Sequence, residues 1–308
     1  MQFGLVHLTD PRLWGLVAES RAFYAQRVAG RGPGSCDELR AVRAAAAAPA
    51  PDPAAVVEVL RDGGRSVPVR IHAPASGAVA GVHLQIHGGG FYLGSAAGDD
   101  VRNRNLADAL GLAVVSLDYR LVPEHPWPAA SDDCETAAFW LAEHAEQLFG
   151  ATKLSIGGFS AGATLAMTTL LRLRDRGIGA YGCAVLQFGT YDLSAQTPAG
   201  RLIADEYFLD AYAGSVQDRT HPDLSPIYAD VTGLPPVLIL VGADDVLLQD
   251  NLAMAVRLSA AGVDVDVRIY PASPHGFTGH ATSMARAATD DIEGWLLRHL
   301  HLTVATTG

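Results

Sequence analysis

From residue 56 onward the chain alternates short β-rich runs with stretches of helical periodicity, and this alternation limits the fold more than any other feature. The runs are VVEVL (56–60), VPVRIHA (67–73), VHLQI (82–86), LAVVSLD (112–118), KLSI (153–156), CAVLQF (183–188), PVLILV (236–241) and VDVRIY (265–270). Apolar groups at helical spacing fall near 100–110, 128–148, 161–176, 249–261 and 283–300. Parallel strands linked by helices must be covered on both faces, so the pattern predicts an α/β fold, a mostly parallel eight-stranded sheet flanked by helices. Functional residues in such sheets gather beyond the carboxyl ends of the strands. At 308 residues and 49% hydrophobic content, the chain has enough apolar surface for one such core and an accessory piece.

Two segments break the rhythm. Residues 10–30 carry apolar groups at helical spacing, RGPGS (31–35) ends that pattern, and the Ala/Pro-rich AAAAAPAPDPAA (44–55) reads as a connector. Residues 1–55 are therefore expected to be an N-terminal accessory segment and linker, with 56–308 as the main domain. The stretch 190–234 is richer in Tyr, Phe, Asp and Pro than in strand residues, and is too long for a bare loop. It is expected to fold as a helical excursion.

A formal charge of −11 without a compensating Lys/Arg cluster argues against nucleic acid or an anionic membrane surface as partner. Cys36, Cys134 and Cys183 are widely spaced and contain no CxxC, which indicates neither a disulfide framework nor a zinc site. The start, MQFGLVHLTDPRLWGL, lacks a basic segment followed by an uninterrupted apolar one, and no apolar run reaches membrane-span length. A cytoplasmic protein is expected.

The chemistry-bearing residues sit where the fold would place them. KLSIGGFSAGATLAM (153–167) sets Ser160 between glycines where a strand turns into a helix. Such a turn exposes the Ser above the sheet edge and puts the Ala161 amide at a helix amino terminus. The competing reading is that Ser160 merely caps the helix. A Ser nucleophile needs a base, and the base an orienting carboxylate. His275 follows the last strand in PASPHGF, and Asp244 and Asp245 follow the preceding one in GADDVLLQDN. His299 and His301 lie near the C-terminus, His144 lies within a helix and His280 further past its strand, which favours His275. Asp250 reads as a first-turn acid of the next helix, while the choice between Asp244 and Asp245 stays open on these grounds. His87-Gly88-Gly89-Gly90 ends another strand, and successive glycines let backbone N–H groups face a developing oxyanion. A phosphate loop would want Gly-Lys-Ser/Thr, which is absent.

Five ordered blocks, HGGGF, DYRLVPEHPWPAA, GFSAGATLA, SPIYADVTGLPPVLILVGADDVLL and SPHGF, closely resemble the bacterial hormone-sensitive-lipase-like branch of the α/β hydrolases over roughly 56–300. The resemblance implies an α/β-hydrolase fold with a helical cap built from the N-terminal segment and 190–234. It implies Ser160 as nucleophile, His275 as general base and acid, and Asp245 as its partner, because the family's acid sits two residues before a Leu, here Leu247. It further implies Gly89, Gly90 and Ala161 as oxyanion hole, no metal or organic cofactor, and a small-molecule ester as substrate. Two positions depart from the family: Phe159 stands where Asp or a small polar residue is common, and Ala163 where Gly is usual. A Phe cannot replace a carboxylate's hydrogen bonds, so packing beneath the turn must differ.

These observations predict a serine carboxylesterase acting on short-to-medium acyl esters. Phe3, Trp14, Phe23, Tyr24, Tyr207, Phe208 and Tyr212 suggest an apolar pocket over Ser160 or the packing of the cap. The same triad would also serve a deacylase, lactonase, acyltransferase or dehydratase, and a receptor without turnover is a third reading, opposed by the presence of all three triad residues. DYRLVPEHPWPAA reads as structural, with Arg120 and Glu124 as a buried pair. An edge strand or the C-terminal helix could support a homodimer.

Overall fold

The computed structural model of the chain describes residues 8–27, 32–47, 50 and 52–302; Phe3 lies outside them. Eight strands form one sheet: β1 (Val56–Asp62), β2 (Arg65–His72), β3 (Gly81–Ile86), β4 (Leu112–Leu117), β5 (Leu154–Phe159), β6 (Tyr181–Gln187), β7 (Val237–Gly242) and β8 (Val265–Tyr270). Their order is β1-β2-β4-β3-β5-β6-β7-β8. β2 runs antiparallel to both β1 and β4, and every other pairing is parallel. The inner strands β3, β4 and β7 are buried along their whole length, which is why their sequences read as continuous apolar runs. The edge strand β1 exposes Val56, Val57 and Val59.

The larger helices are α3 (Asp100–Leu110), α4 (Ala129–Phe149), α5 (Ala161–Asp175), α7 (Leu248–Ala260) and α8 (Ser283–His299), close to the spans expected from periodicity. Successive strand residues point to opposite faces, and the core divides accordingly. Leu84, Ile86, Ile156, Leu186 and Ile239 join the residues of α4, α5 and α7. Val114, Val185, Leu238 and Leu240 join those of α3 and α8 on the other face.

The N-terminal segment contains a 3₁₀ turn at Pro11–Leu16, then α1 (Val17–Ala25) and a further helix, α2 (Cys36–Ala45), which the connector reading did not anticipate. Ser35 caps α2 by accepting from the Glu38 amide at 3.2 Å, while Glu38 Oε2 accepts from the Gly34 amide at 2.7 Å. The stretch 190–234 holds only one short α-helix, α6 (Tyr207–Ala213), between 3₁₀ turns, and is mostly turns and irregular backbone. Asp192 organises it, accepting from Ser194 at 2.9 Å and Thr197 at 2.8 Å through their amides. Among the described residues no helix is long and apolar enough to cross a membrane.

Candidate active site

β5 hands over to α5 at Ser160, whose φ of 53° and ψ of −126° lie in a region that L-residues rarely adopt. Gly158 and Gly162 make the turn sterically feasible. A Cβ on Gly158 would collide with the Gly162 backbone, and one on Gly162 with the carbonyl of Ile86. Ser160 donates its amide to Gln187 O at 2.9 Å and makes no side-chain cap to α5. Its Oγ lies instead 2.9 Å from His275 Nε2. The helix-cap alternative therefore does not describe this side chain.

His275 stands in the loop after β8, with Nδ1 3.0 Å from Asp245 Oδ2 and 3.2 Å from Oδ1. The Asp245 carboxylate is fully buried and also accepts from the Leu247 amide at 2.8 Å. Asp244 is exposed, and only Asp245 meets the imidazole. Asp250 lies in the first turn of α7 as expected, but it is 1% exposed and accepts from the amides of Tyr191 and Asp192. Burial pushes its carboxyl up to about 6 against those bonds. His280 sits apart, 3.0 Å from the Tyr24 hydroxyl.

The glycine loop follows β3 and packs against the turn at Ser160. The Phe159 ring occupies the place of a Gly88 side chain, with 2.7 Å between the ring and an added Cβ. Gly89 has φ of 118°, and a side chain there would strike the Leu93 carbonyl. Gly89 O instead accepts from Tyr92 N at 3.1 Å and Leu93 N at 2.8 Å, which curls the loop. Among the described residues no acceptor takes the amides of Gly89, Gly90 or Ala161. Such unengaged N–H groups suit a developing oxyanion. His87 braces the loop, stacked 4.2 Å from Tyr119 and bonded from Nδ1 to Gly88 O at 2.8 Å. Burial holds its imidazole below the usual range.

The accessory segments fasten onto this loop. Tyr212 of α6 stacks on Phe91 at 3.9 Å, and Phe208 approaches Gly90. Arg43 of α2 donates to the carbonyls of Tyr92 and Val122 and to Glu124. Ser20 of α1 donates to Ala272 O at 2.6 Å in the loop that carries His275. Tyr212 is buried and Trp14 is 51% exposed, so both serve packing or surface, not a pocket wall.

A family model described as the alpha/beta hydrolase fold matches residues 83–279. The chain belongs to the α/β hydrolases. It is similar to the carboxylic ester hydrolase LipN of Mycobacterium tuberculosis, 33% identical over 253 residues covering 76% of this chain and 67% of that one. It is also similar to an ethyl acetate hydrolase of Pseudomonas putida, 34% identical over 229 residues, 70% and 72% of the two chains. Among solved structures, a hormone-sensitive lipase from a metagenome library superposes with a TM-score of 0.73 at 28% identity, covering 94% of this chain and 99% of that one.

In this α/β hydrolase the packing under Phe159 takes a specific form: the Arg102 guanidinium of α3 lies 4.7 Å over its ring. One expectation is corrected. Arg120 and Glu124 do not pair; Arg120 forks onto buried Asp133 of α4 at 2.8–3.1 Å, and Glu124 is half-exposed and held by Arg43. Asp133 wins because its carboxylate faces the guanidinium plane from the helix, whereas Glu124 points outward. Two further positioning residues escaped sequence reading. Gln187 accepts from Thr278 at 3.0 Å and so joins the Ser160 turn to the His275 loop. Asn251 donates to the carbonyls of Gly189 and Leu247 at 2.9 Å, fixing the Asp245 loop. The signal for Gln187 was a lone polar residue at the end of an apolar run.

Proposed function

We propose that this hydrolase cleaves carboxylic esters with short-to-medium acyl groups through an acyl-enzyme. The observation that carries the reading is the Ser160 Oγ to His275 Nε2 contact of 2.9 Å, made in place of a helix cap and backed by Asp245 at 3.0 Å. His275 takes the proton as Ser160 Oγ attacks the ester carbonyl, and Asp245 stabilises the imidazolium. The amides of Gly89, Gly90 and Ala161 receive the oxyanion. His275 returns the proton to the leaving alcohol, then activates water, which releases the acid. The esterase names of LipN and the ethyl acetate hydrolase support the same substrate class.

We assign residues 1–55 and 190–234 to a cap over the 56–308 catalytic domain. The unpaired thiols of Cys36, Cys134 and Cys183 support a cytoplasmic location, and a homodimer is one assembly open to it. The test is labelling with a fluorophosphonate, located by peptide mass spectrometry, beside hydrolysis of p-nitrophenyl acetate to hexanoate. An adduct on Ser160 with turnover is expected. An unlabelled Ser160, or turnover that persists in Ser160→Ala, overturns the reading.

A further inference from the structure

A cavity of about 740 Å³ lies behind the Ser160 turn, between α3 and α8, with Phe159, Gln187 and Phe188 on its sheet side. Ser160, Asp245 and His275 do not line it. The rings of Phe159 and Phe188 divide it from the triad, Phe188 lying edge-on to His275 at 5.1 Å.

Three polar groups at the amino-terminal end of α3, its N-cap Asp99 included, line this space with unused bonding capacity. Among the described residues Arg102 makes no hydrogen bond or ion pair; its guanidinium lies over the Phe159 ring, beside Gly279, and senses the charge of Asp99. Asn103 is 1% exposed, and neither atom of its amide has a partner. One carboxylate oxygen of Asp99 is likewise buried and unpartnered. A guanidinium fork matches a carboxylate bidentately, and a helix amino terminus favours the same charge. The remaining wall includes Leu106, Val185 and Ile292, which suit an apolar tail better than a second charge.

We propose that this cavity is a second small-molecule site, which holds a monocarboxylate with a short apolar tail, its carboxylate on Arg102 and its tail between α3 and α8. Acids of this class are what the proposed reaction releases, so the natural source of the ligand rests on that reading, while the binding does not.

The charged neighbours give the site a pH signature. Burial pushes the Asp99 carboxyl up to about 6, partly offset by Arg102. Glu293 of α8 is raised by burial and by Asp290. Burial holds His83 down to about 4, and burial with Arg27 lowers His280. Asp100 is tied to Arg70 and stays ionised. Between pH 7.5 and 5.5 Asp99 loses negative charge beside Arg102, so carboxylate affinity rises as pH falls.

The test titrates butyrate into the full-length Ser160→Ala variant by calorimetry at pH 7.5 and 5.5, with inorganic phosphate as a tailless competitor. One saturable site is expected, tighter at pH 5.5, weakened about tenfold or more by Arg102→Met and less by Arg102→Lys. Ile292→Trp, which fills the cavity and leaves Arg102 in place, should also abolish binding. No saturable binding, binding indifferent to Arg102→Met or to Ile292→Trp, equal competition by phosphate, or affinity rising with pH each overturns the proposal. Fluorophosphonate labelling of Ser160 in the wild type reads the hydrolase chemistry separately.

Discussion

Asp245→Asn changes one atom and separates two adjacent acids. In the wild type, Asp245 Oδ1 accepts from Leu247 N at 2.8 Å while the carboxylate holds His275 Nδ1 at 3.0 Å. An Asn amide keeps its oxygen on the Leu247 donor and turns its NH₂ toward His275. Nδ1 must then accept, the ring proton moves to Nε2, and that proton faces the Ser160 oxygen 2.9 Å away. The flipped amide sets two buried donors against each other instead, which is also unfavourable. With the base in the wrong tautomer and the imidazolium without its carboxylate, kcat should fall about 10³- to 10⁴-fold, or about 4 to 5.5 kcal/mol. Asp244 is exposed, and Asp244→Asn should stay within about 0.5 kcal/mol, roughly twofold. The assay is kcat on p-nitrophenyl butyrate for both variants, with thermal melts to establish folding. A folded Asp245→Asn keeping more than a tenth of wild-type kcat, or an Asp244→Asn that lowers kcat tenfold or more, refutes the assignment.

Gly89→Ala places a Cβ against the Leu93 carbonyl at φ 118°, so the loop must move; kcat/KM should fall about 10²- to 10³-fold with a modest loss of Tm, and a change below threefold would remove Gly89 from the oxyanion role. Arg172 of α5 binds Asp223 of the excursion and Asp132 and Glu135 of α4, all partly or fully buried. Arg172→Met should cost about 3 to 5 kcal/mol; with an unfolding entropy of roughly 0.6 kcal/mol/K for a chain of this length, Tm drops about 5 to 8 °C by calorimetry. Asp250 has its folded value raised to about 6 from an ordinary 3.8, so its stabilising contribution is full below about pH 4 and lost as pH rises through 6. Asp250→Asn should therefore gain in Tm relative to wild type at pH 7.5 by a few degrees, and a gain of the same size at pH 4 would refute the linkage.

The legible parts of the fold are those under a periodic constraint. β3, β4 and β7 are buried on both faces, so nothing polar interrupts them, and the helices from α3 onward repeat their apolar face at helical spacing. α2 was missed because Ala and Pro around it suggested a connector, although Ser35 and Glu38 carried a capping-box signal. The excursion at 190–234 announced itself by composition but not by form, because side chains bonding nearby backbone hold it together. Chain order and motif located Ser160 and His275. Adjacent acids in a loop cannot be ranked by pattern, and Asp245 came from family resemblance; the buried contact to His275 is a tertiary fact.

Phe159 shows why a departure beside Ser160 can leave the Ser160–His275–Asp245 geometry intact. Along β5, Ile156 faces the α4 and α5 side, whereas Ser155 and Phe159 face His83, α3 and α8. The residue before Ser160 thus points away from the catalytic side, and its polarity must match the back of the sheet. There α3 supplies Arg102, whose cation–π contact with the ring is worth about 0.5 to 2 kcal/mol. The same ring fills the space that Gly88 leaves open, so Phe159 still touches the glycine loop through packing. A carboxylate at 159 would have engaged the guanidinium directly; a phenyl ring claims none of its five donors. The substitution that looked like damage to the turn therefore acts mainly behind it, where the ring holds the Arg102 guanidinium by its face and takes no hydrogen bond from it.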